Sequence, residues 1–224
     1  MLEQADPYRL SQNPESVTEL LDLASKQIDS QFPDRPQVRT ELLTVLGSTL
    51  IDRHDLRRGE DLLDKAVRLG VATNGPRHPL SLQARAFLSI AQRFSLSPAK
   101  RRLELDPLLA DFAVVPSAAP LHHFIALESD WNLRLAEGQT KNLATIARKI
   151  VSLPGLPKAK QIEAQWLVIQ SLRRNAAPAE ELGTAARAAF ADTLAFYRNN
   201  PRHPAVIEAR EELGRTLVMK SVTL

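Results

Sequence analysis

Residue types that could do chemistry are present, but they seldom stand at a spacing that chemistry can use. Arg53-His54-Asp55-Leu56 has the composition of a phosphoryl-transfer catalytic loop. That loop reads H-R-D-L-x-x-x-N, whereas here Arg and His are exchanged and Glu60 occupies the asparagine position, so the segment reads as a turn between helices. Asp111-Phe112-Ala113 lacks the glycine of a metal-holding D-F-G, and neither a glycine-rich phosphate loop nor a strand lysine accompanies it. His122 and His123 are adjacent, so on a helix they point about 100° apart, and no carboxylate at i+4 completes a metal site. No serine has a G-x-S-x-G context. The absence of cysteine removes thiolate catalysis, disulfides and Cys-ligated metal from this chain. The sequence therefore predicts no catalytic residue, no metal and no cofactor.

Two further histidines have a structural use. His78 and His203 each precede a proline that opens a helix, so a hydrogen bond that organises the joint is the economical role for both. The basic clusters Lys100-Arg101-Arg102 and Arg173-Arg174 lie near helix ends without interleaved aromatics, and 29 basic residues stand against 26 acidic ones, a net charge of +3. That pattern argues against nucleic acid. No apolar run approaches the roughly 18 residues of a membrane span, and the first residues, Met1 to Asp6, are not a signal peptide. Trp131 and Trp166 fall at helical spacing and are read as core.

The elements that must position these residues are helical. Only 8 glycines and 11 aromatic residues in 224 disfavour a sandwich or barrel, whose turns and cross-strand pairs use both. Apolar residues recur every three to four positions from Glu15 to Gln31, and again as Leu42, Leu43, Leu46 and Leu50. After the polar break Asp52-Arg53-His54-Asp55 come Leu56, Leu62, Leu63, Ala66 and Val67, which makes a helical hairpin. The alternation continues from Leu80 to Phe94, Pro98 to Phe112, Leu121 to Leu135, Thr140 to Leu153, Lys158 to Leu172, Ala179 to Tyr197 and Ala205 to Met219. About ten helices result. Most of the 15 prolines punctuate them, and Ala113-Val114-Val115 before Pro116 reads as a linker.

Two internal echoes set a period. Asn74-Gly75-Pro76-Arg77-His78-Pro79 returns as Asn199-Asn200-Pro201-Arg202-His203-Pro204, and Leu46-Gly47-Ser48-Thr49-Leu50-Ile51 as Leu213-Gly214-Arg215-Thr216-Leu217-Val218. The offsets equal about three and about four units of about 42 residues, and a two-helix unit of that size makes a stacked helical solenoid. The expectation is an all-α, right-handed α-solenoid: a leader and capping helix over residues 1–35, then a continuous array over 36–224.

The unit from Thr40 to Ala66 resembles a tetratricopeptide repeat. Leu43, Leu46, Gly47 and Leu50 on its first helix, with Gly59, Leu63 and Ala66 on its second, match that repeat's large and small signature. Gly47 and Gly59 let the helices cross closely while the leucines fill the space beside the crossing. Phe87, Ile90, Ala91 and Phe94 continue the pattern, whereas the units holding Trp131 and Trp166 fit it poorly and the last helix has no partner. The unit length and the N-G-P-R-H-P joint look like the longer repeats of kinesin light chains and their bacterial relatives. The resemblance implies a non-enzymatic scaffold that receives a peptide or partner protein in a concave groove. It also implies a place in a larger bacterial signalling protein such as a serine/threonine kinase, extracytoplasmic if the chain follows a kinase transmembrane helix and otherwise cytoplasmic.

In such arrays the first helix of each pair faces the groove, which here selects Glu41, Thr44, Ser48 and Asp52, with Arg85 and Gln92 from the second unit. Two functions stay open to the sequence. A charged groove favours peptide recognition, and a closed pocket lined by Trp131, Trp166 and phenylalanines favours a sensor that binds a small molecule. The oligomeric state has no signature in the sequence.

Overall fold

The computed structural model describes residues 14–115 and 119–222. The expected leader before residue 14 and the Pro116 end of the expected linker lie outside the described residues. What is described is helical without strands, and its ten α-helices correspond to the ten apolar stripes of the sequence. They fall into two compact units that divide between Leu96 and Ser97.

The first unit holds α1 (Pro14–Gln31), α2 (Pro36–Asp52), α3 (Leu56–Asn74) and α4 (Pro79–Ser95). Proline opens α2 and α4, where its missing N–H and fixed φ cost a helix nothing. Between α2 and α3 lies the Arg53-His54-Asp55 turn. His54 adopts φ 65°, its N–H donates to the Ile51 carbonyl, and the Asp55 N–H donates to that of Leu50, so the end of α2 is closed. The Asp55 carboxylate then caps α3, accepting from the Arg58 N–H and from its Nε at 2.6 Å. These residues stop one helix and start the next, as their spacing predicts.

α2, α3 and α4 pack on one another, and α1 lies against α2. Asp29 of α1 fastens that contact: it accepts from Lys65 of α3 and, at 2.6 Å, from Arg39 of α2. Those hydrogen bonds, Lys65's foremost, hold its carboxyl below the usual range despite opposing burial. The core comprises Ile28, Leu43, Ala66 and Ala84, with Leu63, Leu88 and Ala91 beside it.

The signature glycines stand where the helices touch. A Cβ on Gly47 would lie 2.7 Å from Leu63 Cγ, and one on Gly59 would lie 2.6 Å from Ile51 Cδ1 and 2.9 Å from the Gly47 carbonyl oxygen. The Gly47 Cβ would also lie 3.1 Å from the Gly59 carbonyl oxygen, and backbone cannot rotate away. Gly47→Leu is therefore expected to lose about 1–3 kcal/mol by overpacking, read by urea denaturation. Gly214 holds the same place in the second echo, yet a Cβ there would meet nothing within 4 Å among the described residues. Gly214→Ala is expected to gain about 0.5–1 kcal/mol from helix propensity alone. A neutral Gly47→Leu would remove the close crossing.

In α4 the expected stripe is displaced. Ala91 is buried, Phe87 and Ile90 are half-buried, and Phe94 is 64% exposed with the Arg93 guanidinium 5.7 Å from its ring centre. The packed positions are Leu82, Ala84, Leu88 and Ala91. Closely approaching helices bury their small residues, so the large aromatic side chains in the sequence mark the edge of this contact instead of its centre.

The second unit holds α5 (Pro98–Val114), α6 (Pro120–Ala136), α7 (Leu143–Val151), α8 (Lys158–Arg174), α9 (Ala179–Phe196) and α10 (Pro204–Val222). α5 runs through Val114, so two residues of the expected linker are helical. α7 is shorter than its stripe: a 3-10 turn over Thr140–Asn142 precedes it, and Pro154 with Gly155 at φ 74° follows soon after it. Consecutive helices pack from α5 to α10, and Ala144, Ile169, Leu172, Leu182, Ala186 and Ala189 form the core among α7, α8 and α9.

The repeated joint has the same atomic form in both copies. His78 Nδ1 accepts from the Leu80 N–H at 3.3 Å, and His203 Nδ1 accepts from the Ala205 N–H at 3.2 Å. Each imidazole thus satisfies one of the N–H groups that a helix start leaves open, while the proline removes another.

Candidate functional site

Most of the groove positions expected in the first unit keep a surface, but one does not. Glu41 and Asp52 are exposed, and Ser48, Arg85 and Gln92 are half-buried. Thr44 is 1% exposed, and its hydroxyl donates to the Thr40 carbonyl at 2.7 Å. It belongs to the helix contact and offers a ligand nothing. Ser48 donates to the Val45 carbonyl at 3.0 Å, and Arg85 Nη1 donates to that of Pro76 at 3.0 Å. Both already serve local backbone.

A concavity of about 480 Å³ lies in the second unit, walled by α6, α8 and α10. α6 and α8 each open a helical pair, and α10 follows at the next such position; the residues are different from those expected in the first unit. Spacing along α8 turns Ala159, Glu163, Trp166 and Gln170 to one side, and Ala205, Glu208 and Glu212 of α10 form the facing row. Tyr197, from the joint between α9 and α10, closes one end. Its ring stacks on His203 at 3.9 Å and receives Phe196 edge-on at 4.8 Å. The histidine that caps α10 therefore also seats an aromatic wall of the groove.

Three buried polar groups hold the walls in place. Asp130 of α6, 4% exposed, accepts from Arg102 Nη1 of α5 at 2.6 Å and from Arg134 Nε at 3.0 Å. Arg102 also reaches Glu137 at 2.7 Å and Asp106 at 3.2 Å. Burial alone would lower the Arg102 guanidinium, but these acceptors outweigh it and raise it above its ordinary value. Glu212 of α10 is held likewise, by Arg173 Nη1 of α8 at 2.8 Å and Arg215 Nη1 at 2.7 Å. Trp131 is core, as expected: its indole N–H donates to Ser171 Oγ at 2.8 Å, and that hydroxyl donates to the Leu167 carbonyl. Trp166 is half-buried: it packs against the core cluster around Ile169 and Ala186, as its reading as core expected, and it also lines the groove.

The histidine pair divides in a way no motif could specify. His123 is 5% exposed and lies parallel to Phe112 of α5 at 4.8 Å, and neither of its ring nitrogens has a hydrogen-bond partner among the described residues. Burial, aided by the charge of Lys149, pushes its imidazole down to about 4. Burial also lowers His122. Among the described residues no group of three or more His, Asp or Glu side chains could hold a metal, and no helix is long and apolar enough to cross a membrane.

No protein family and no curated protein matches the sequence. Solved structures do match. A protein of Podosopora anserina described as a kinesin light chain with nearly identical TPR-like repeats superposes with a TM-score of 0.65 at 15% identity, covering 84% of this chain and 89% of its own. A single-substitution variant of the same protein gives the same values. At that identity the likeness concerns the backbone, and with the close Gly47 and Gly59 crossing and the two identical histidine joints it establishes that this chain folds as TPR-like helical repeats.

Proposed function

We propose that the chain is a non-catalytic interaction scaffold that holds a peptide or partner segment in the groove between α6, α8 and α10. The observation that carries the reading is the groove itself: about 480 Å³, with an indole and a phenol among carboxylates and an amide. Aromatic anchors inside a polar rim are the usual make-up of a surface that receives a protein segment. The rival reading, a sensor for a small molecule, called for Trp131 and Trp166 in one closed pocket. Trp131 instead spends its N–H on Ser171. As a scaffold the chain would serve as the recognition region of a larger signalling protein, the context that its resemblance to bacterial kinase repeat regions implies.

Selection of a displayed random-peptide library on the purified chain tests the site. Enriched peptides are expected to bind Trp166→Ala at least tenfold more weakly and to be indifferent to charge reversal at Asp52 and Arg85. The opposite pattern would return the site to the first unit.

A further inference from the structure

The groove is acidic on a chain whose net charge is +3. Glu128, Glu163, Glu208 and Glu212 line it against a single ammonium, that of Lys160. Lys160 is already engaged: its Nζ lies 2.6 Å from Glu163 Oε2 and 5.0 Å from the centre of the Phe124 ring. Glu212 is held by Arg173 and Arg215. Glu208, one turn earlier on α10, is exposed and has no ion pair or hydrogen bond among the described residues. The groove thus presents a carboxylate to which nothing in the described chain responds.

A second, independent feature points to the same ligand chemistry. Tyr197 has no counterpart in the first joint, where the equivalent position is Ala72. The ring is fixed before any partner arrives, by the stack on His203 and the edge contact of Phe196, so little side-chain freedom is lost on binding. The faces of Tyr and Trp attract cations, and attract them more strongly when the cation is also paired with a carboxylate out of water. Trp166 and Tyr197 beside Glu208 combine both. The Gln170 amide, also without a partner among the described residues, can donate to and accept from a peptide backbone.

Building on the reading of this groove as the interaction site, we propose that its occupant is a basic peptide segment. It places an Arg or Lys side chain against Glu208 and the aromatic pair, with an apolar neighbour over the small residues Ala159, Ala205 and Ala209. An acidic segment or a nucleic-acid backbone would meet the unpaired Glu208 carboxylate with like charge.

Fluorescence polarisation with three labelled nine-residue peptides decides the matter. Each has one central leucine and differs only in its flanks, which are four arginines, four glutamates or four glutamines on each side. The arginine peptide is expected to bind at least tenfold tighter than the other two and to weaken severalfold between 50 and 300 mM NaCl. It should lose at least tenfold on Glu208→Lys while the melting temperature stays unchanged. If the glutamate or glutamine peptide binds as well or better, and Trp166→Ala abolishes that binding, the groove reading stands and the basic partner is wrong. If the arginine peptide binds Glu208→Lys and Trp166→Ala as tightly as it binds the natural chain, both are wrong. Absence of binding by the arginine peptide overturns the basic partner, and the library selection then judges the groove separately.

Discussion

Asp130→Ala is expected to destabilise the second unit by about 3–5 kcal/mol, the largest loss of any single polar substitution here. Asp130 is the shared acceptor of Arg102 and Arg134, and its side chain is 5% exposed. Removing it leaves two guanidinium groups without the carboxylate that offset their desolvation. Glu137 and Asp106 keep part of the Arg102 compensation, which places the expected loss toward the lower end. Asp130→Asn retains the shape and one acceptor oxygen and should fall between the variant and the natural protein. The control is Glu181→Ala, which removes the exposed Arg148 to Glu181 pair and is expected to cost under about 1 kcal/mol. Urea denaturation at neutral pH separates these outcomes. Equal losses for Asp130→Ala and Glu181→Ala would show that the buried network contributes no more than a surface pair.

Acid should weaken the second unit through His123. In the folded chain this imidazole is pushed down to about 4 by burial and by Lys149, whereas an unfolded histidine titrates near about 6.5. Folding therefore favours the neutral ring. Between those two values the unfolded chain binds a proton that the folded chain does not, so stability is complete above about pH 6.5 and declines as pH falls toward 4. The difference corresponds to about 3 kcal/mol over that window. His122 shifts in the same direction and adds to the slope. His123→Phe keeps a ring against Phe112 and removes the titrating group, so its stability should vary less between pH 6.5 and 4 than that of the natural protein. An unchanged slope in His123→Phe would show that His123 is not the acid-sensitive group.

Much of the architecture was legible in the residues because it depends on short-range rules. Apolar spacing of three to four marks a helix wherever it occurs, and proline at the first helical position marks its start. Hence the ten helices, the Arg53-His54-Asp55 turn and the role of His78 and His203 followed from sequence. The first hairpin was legible down to its glycines, since two small residues at those positions have one common purpose, a close crossing.

What needed the tertiary structure is whatever depends on which face of a helix meets a neighbour. Phe94 and Thr44 exchanged their expected places for this reason: a rotation of one residue about a helix is about 100°, enough to move an aromatic to solvent and a threonine into the contact. The groove lies further still from local rules. Glu128, Trp166, Tyr197 and Glu208 belong to three helices and a joint, and no spacing in the sequence brings them together. Tyr197 stands just before the repeated joint, where the two copies no longer match, and nothing in its type or spacing marks it. The sequence by itself determined where the chain is helical and where it turns, because those choices are made within a few residues. Only the packing of α6, α8 and α10 decided which side chains share a surface, because burial and pairing are settled between residues far apart in the chain.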